Sequence, residues 1–134
     1  MPKAKRVTYF KAKIEDKPGA LLALVKDLME KKQSLVGLRG FSQAGEGGVL
    51  VVPKNPDKLR NIWKASGTLA EEGTVFFFSG KDKTGALVAS LDAIAKAGVN
   101  IAAIEAVAVG GRFGTFLWVA QADIDKTAQV LRAK

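Results

Sequence analysis

The sequence of 134 residues contains no cysteine and no histidine. The first absence excludes disulfides, thiolate nucleophiles and thiolate metal sites, and the second removes the commonest general base and metal ligand. Most catalytic chemistries go with them, and no cofactor is expected. No apolar run approaches the length of a bilayer span, and the opening Met1-Pro2-Lys3-Ala4-Lys5-Arg6 has no hydrophobic stretch behind it that would make a signal peptide. A cytoplasmic protein that avoids membranes is expected. What is present suits a folded chain: 48% hydrophobic and 25% charged residues fit one compact unit or two small ones rather than disorder.

The formal charge of +8 is unevenly placed. Residues 1–66 hold 14 Lys and Arg against 6 Asp and Glu, whereas residues 67–134 hold 7 of each, so the excess lies entirely in the first half. It is scattered from Lys3 to Lys64 with no continuous basic block, which reads as a solvated face plus a basic terminus; a phosphate-binding surface is the alternative.

Shifted by 66 residues, the sequence aligns with itself without a gap. Thr8, Phe10, Asp16, Lys17, Gly19, Ala20, Leu21, Ala23, Gly45 and Asp57 meet Thr74, Phe76, Asp82, Lys83, Gly85, Ala86, Leu87, Ala89, Gly111 and Asp123. The identities cluster in Asp16-Lys17-Pro18-Gly19-Ala20-Leu21 against Asp82-Lys83-Thr84-Gly85-Ala86-Leu87, and the apolar periodicity changes at matching places. We read an internal duplication, with domains at 1–66 and 67–134.

Each half opens with a β-rich run, 7–14 and 74–79, the second carrying Val75-Phe76-Phe77-Phe78. A helix follows in each, with Leu21, Leu24, Val25 and Leu28 or Leu87, Leu91 and Ile94 at helical spacing. Two strands come next, 35–43 and 49–53 in the first half, 99–109 and 113–120 in the second, joined by glycine-rich turns. Asn55-Pro56 and Asp123 then open a second helix in each half. The expected fold is α+β: two ferredoxin-like βαββα units with antiparallel sheets and helices on one face. A full unit would add a strand after its second helix. Only Thr68-Leu69-Ala70 offers a stub, giving six good strands where eight are expected. The uncovered edges at 7–14 and 74–79 should therefore pair with one another or with another molecule.

The repeated strand-to-helix loop is the candidate site, because the amides of a helix N-terminus lack intrahelical partners and favour negative charge. A carboxylate suits it. Gly19 and Gly85 would let a ligand approach the backbone, and Asp16 and Asp82 would either accept from a ligand ammonium or cap their own helices. Leu21 and Leu87 each start an apolar stripe and read as core.

With these motifs, and with Gly98-Val99-Asn100-Ile101 following the second one, the sequence resembles a tandem pair of ACT domains, the ligand-binding regulatory modules of amino-acid metabolism. The second half is also similar to the ACT module of prephenate dehydratases, although their later Glu-Ser-Arg-Pro segment reads Glu105-Ala106-Val107-Ala108 here. The resemblance implies an amino acid held at the seam between two ACT units, lined by Asp82, Thr84, Gly85, Ala86, Leu87, Asn100 and Ile101, and by Asp16, Pro18, Gly19, Ala20, Leu21 and Ser34. Asn100 stands where the family often places a ligand-contacting Asn, while the first half has Ser34 there and Lys32-Gln33 in place of Gly98-Val99. The sites should be unequal, with the second the better. The expected function is non-catalytic: regulation through a small amino-acid ligand, with a homo-oligomer formed through sheet edges and any regulated enzyme acted on in trans. Alternatives are a nucleic-acid or polyanion binder, against which the strands show few interleaved aromatic and basic residues, and a structural adaptor for dimerisation alone.

Overall fold

The computed structural model describes residues 2–43, 46–81 and 84–134. Among them run β1 (Ala4–Ile14), α1 (Ala20–Glu30), β2 (Leu35–Gln43), β3 (Glu46–Pro53), α2 (Pro56–Ser66), β4 (Leu69–Lys81), α3 (Thr84–Lys96), β5 (Ile101–Val109), β6 (Arg112–Val119) and α4 (Ile124–Leu131), with a 3-10 turn at Gln121–Asp123 ahead of α4. The architecture is α+β, with an antiparallel sheet in the order β2-β3-β1-β4-β6-β5.

Two compact units divide the chain: Thr8–Gly73, and a discontinuous one made of the segment up to Val7 with Thr74–Lys134. The division runs through the bodies of β1 and β4 rather than at Ser66. β1 starts three residues ahead of its apolar run, and the stub at Thr68-Leu69-Ala70 continues into β4 as one strand of 13 residues. The two long strands are neighbours in the sheet. Each sheet thereby obtains its fourth strand. In Thr8–Gly73 the head of β4 supplies it: Leu69 packs on the core, and the Tyr9 ring lies against Gly73, where a Cβ would come within 2.7 Å of it. In the other unit the head of β1 does so, with Ala4 buried beside Phe76 and Phe78 and the Arg6 N–H donating to the Lys134 carbonyl at 3.2 Å.

Within Thr8–Gly73 the core is Phe10, Ala12, Leu28, Val49, Val51, Leu59 and Trp63. Phe10 stands across from Val51 and Ala12 from Val49, so one face of the sheet carries them. Both helices cover that face, α1 through Leu24 and Leu28 and α2 through Leu59, Ile62 and Trp63. The Trp63 ring tilts at 53° over Phe10 with centroids 6.2 Å apart. Capping fixes α2 at both ends. Asn55 Oδ1 accepts from the Lys58 N–H at 3.2 Å, and Gly67 turns left-handed at φ 73 so that the Thr68 N–H reaches the Trp63 carbonyl. The end of α1 uses the same geometry without the glycine. Lys32 adopts φ 57 there, and the Gln33 N–H donates to the Leu28 carbonyl at 2.9 Å.

The second unit buries Ala4, Phe76, Phe78, Ile94, Val99, Phe113, Leu117, Ala128 and Leu131. Here α3 ends on Gly98 at φ 74, the repeat equivalent of Lys32. The Thr115 hydroxyl, across from Phe78, is buried with no hydrogen-bond partner among the described residues.

Two substitutions follow from these positions. Lys32→Gly removes the left-handed penalty of a side chain and should stabilise the protein by about 1 kcal/mol. Thr115→Val exchanges a stranded hydroxyl for a methyl of the same shape and should also gain about 1 kcal/mol. Urea unfolding of each variant would measure both, and a loss of stability in either would contradict its assignment.

Candidate ligand-binding loops

The loop between β1 and α1 is placed by the sheet register. Ile14 at the end of β1 pairs with Gly47, and Gly47 pairs with Ser42, so residues 15–19 stand at the far end of β2. There Asp16 Oδ2 accepts a hydrogen bond from Ser42 Oγ at 2.6 Å. Asp16 does not cap α1; Gly19 does so through its backbone, at φ 86, with its carbonyl accepting from the Ala23 N–H at 3.0 Å. Only a glycine takes that conformation without strain. Pro18 lies in the exposed turn, with Lys17 paired to Glu15 at 2.7 Å. The amides of Leu21 and Leu22 precede the first bond of the helical ladder and face the loop end of the helix.

Ala20 is half-buried, but Leu21 is not the core residue its stripe suggested. It remains 37% exposed and crosses to the edge strand β2, where a Cβ on Gly40 would stand 3.5 Å from its Cδ2. Asp16, Gly19, Ala20 and Leu21 thus gather around the loop with Ser42 and Gly40, two residues that the sequence reading missed. The register around the glycine-rich turn was the signal that would have found them.

In the second unit, Asp82 and its neighbour Lys83 lie outside the described residues, and Thr84 is the first residue of α3. Gly85 differs from its counterpart Gly19. It sits inside the helix without a left-handed φ, and a Cβ there would meet nothing within 4 Å. Ala86, Leu87 and Ile101 pack against the core. The repeat equivalent of Ser42 is Ala108, which has no hydroxyl to offer.

Ser34 and Asn100 are exposed at the starts of β2 and β5. The Ser34 carbonyl accepts from the Lys54 N–H at 2.9 Å and so fastens the start of β2 to the end of β3. Both residues stand at the opposite end of their strands from the loop of their own unit, about 25 Å of extended chain away. Within one unit the structure does not bring them to the loops. Among the described residues no group of three or more metal-ligating acidic side chains comes together, and no helix is long and apolar enough to cross a membrane.

No protein-family model and no curated protein sequence matches the chain. Solved structures do. The protein BT0572 from Bacteroides thetaiotaomicron superposes with a TM-score of 0.80 at 23% identity, over 97% of this chain and 89% of that one. The ligand-free regulatory subunit of aspartate kinase from Thermus thermophilus gives 0.61 at 14% identity, over 98% and 94%. Its counterpart from Thermus flavus gives 0.55 at 13% identity, over the same 98% and 94%. At these identities the likeness is one of fold. The chain shares its α+β fold with regulatory subunits of aspartate kinase.

The contrast between the two loop glycines is directly measurable. Gly19→Ala forces a side chain into a left-handed position and should cost about 1 kcal/mol. Gly85→Ala has open space and a helical backbone and should gain up to about 1 kcal/mol. Urea unfolding that gave both substitutions the same sign would show that the two loops share one backbone geometry.

Proposed function

We propose that the protein is a non-catalytic regulatory module of two ACT units that binds a free amino acid, or a zwitterion like it, at a seam made with a second copy of the chain. The observation that carries this reading is an exposed apolar pair that recurs at repeat-equivalent positions. Leu22 and Val88 are 64% and 57% exposed on α1 and α3, and Leu38 and Ile104 are 42% and 39% exposed on β2 and β5. β2 and β5 are the edge strands of the sheet. An open edge strand that carries an exposed Leu38 or Ile104 is an incomplete surface, and both it and the exposed helix position recur at the offset of 66 residues.

Geometry gives the seam its chemistry. β1 and β2 both run antiparallel to β3, so the loop after β1 stands at the end of β2 and Ser34 at its start. Antiparallel pairing of β2 with β2 of a second copy brings Ser34 of one chain to the Asp16–Leu21 loop of the other. The same operation on β5 brings Asn100 to the loop that holds Thr84, Gly85, Ala86 and Leu87, with Ile101 behind it. A ligand carboxylate would face the helix amides, Asp16 or Asp82 would accept from its ammonium, and the facing strand would receive the side chain. Binding regulates if it favours the paired over the unpaired chain, and an enzyme could be controlled in trans by that shift. The likeness to regulatory subunits of aspartate kinase supports the same reading.

A thermal-shift screen against the twenty amino acids tests the ligand. One or a few should raise the melting temperature by roughly 10 °C at hundredfold saturation, from about 2.7 kcal/mol of linkage. Gly85→Leu should abolish the shift given by the second site while leaving the unliganded melting temperature close to that of the parent. No shift with any amino acid would overturn the ligand. Light scattering tests the seam: Leu22→Glu with Val88→Glu should halve the mass of a dimer, and an unchanged mass would remove these surfaces from the assembly.

A further inference from the structure

Opposite α1 and α2, the sheet of Thr8–Gly73 presents a face that carries both rings and cations. Phe10, Ala12, Val49 and Val51 point to the helices, so the alternate residues Tyr9, Lys11, Lys13 and Leu50 point away, and the register sets Arg39 and Phe41 of β2 beside them. In one row Phe41, Gly48 and Lys13 stand side by side; in the next come Arg39, Leu50 and Lys11.

The Phe41 ring is laid flat across β3. A Cβ on Gly48 would come within 2.5 Å of it, so the glycine serves as a bare floor for the ring. Lys11 Nζ lies 5.4 Å from the ring centroid and Arg39 Cζ 5.9 Å, within cation–π range. Tyr9 supplies a second ring, against Gly73 at the neighbouring strand. Burial, and then the charge of Glu71, hold its phenol above the usual range, so it is neutral at physiological pH. The unit Thr8–Gly73 carries 11 Lys and Arg against 8 Asp and Glu.

We propose that this face binds single-stranded nucleic acid, with bases stacking on Phe41 and Tyr9 and phosphates running between Lys11, Lys13 and Arg39. Rings laid on a sheet beside cations match what unpaired bases require, since every base has a π-face and every step carries a charge. A duplex hides those faces, and a simple polyanion has none. The inference goes beyond the amino-acid reading and uses none of the loop residues.

The test is fluorescence anisotropy of the full chain with a labelled oligouridylate of roughly ten nucleotides, started at low salt because such binding weakens as salt rises. Binding should weaken with salt at a log–log slope of about −2, from three phosphate contacts at about −0.7 each. Lys11→Ala should reduce the slope by about 0.7. Phe41→Leu should keep the slope and weaken affinity at least roughly fivefold, and Tyr9→Leu, at the second ring, should do the same. Lys58→Ala, on α2, should change neither. Circular dichroism confirms that each variant is folded; should either ring variant fail to fold, the other decides. Absence of binding at low salt, equal affinity for a duplex or for heparin, indifference to the folded ring variants, or an equal loss with Lys58→Ala would each overturn the proposal.

Discussion

Two strands hold the molecule's architecture, because each serves two cores. β1 gives Ala4 to one hydrophobic cluster and Phe10 and Ala12 to the other, and β4 gives Leu69 to one and Phe76 and Phe78 to the other. A βαββα unit alone leaves its first strand with an open side. Here the two first strands are neighbours in the sheet. That arrangement leaves β2 and β5 as the remaining edges, and it is at these edges that the repeated apolar surface appears.

Around that shared frame the two copies have diverged in ways that bear on binding. The loop glycine is left-handed and outside the helix in one copy and helical in the other. Asp16 is engaged by Ser42, whereas the equivalent of that serine is an alanine. The helix end that Gly98 turns without strain is turned by a lysine at position 32. Each difference is small in energy, and each lies within reach of a loop or of the strand start that follows its helix. Some core positions stay hydrophobic in both copies, Phe10 with Phe76, Leu28 with Ile94 and Val51 with Leu117, whereas Val49, Leu59 and Trp63 meet Thr115, Asp125 and Gln129.

Much of this could be read from the sequence. The order of the elements rests on local periodicity, and the structure has that order as expected. What was hidden depended on register. The stub at Leu69 joins β4 through Glu71-Glu72-Gly73, a stretch with no apolar alternation to announce a strand. Ser42 meets Asp16 across 26 positions of sequence only because the glycine-rich hairpin sets Ser42 opposite Gly47. Leu21 starts an apolar stripe and yet stays 37% exposed, reaching toward Gly40 of the edge strand β2. Lys11, Phe41 and Arg39 become neighbours only when three strands are aligned, and no single strand shows it.

The division of the chain also orders its synthesis. Thr8–Gly73 is continuous, so every residue of that unit has left the ribosome once Gly73 has emerged, and it can close its core while the rest is still being made. The other unit is split between the two ends of the sequence: Ala4 must wait for Leu131. The segment up to Val7 belongs to a core that Leu131 also lines, so that core can close only after α4 has been made.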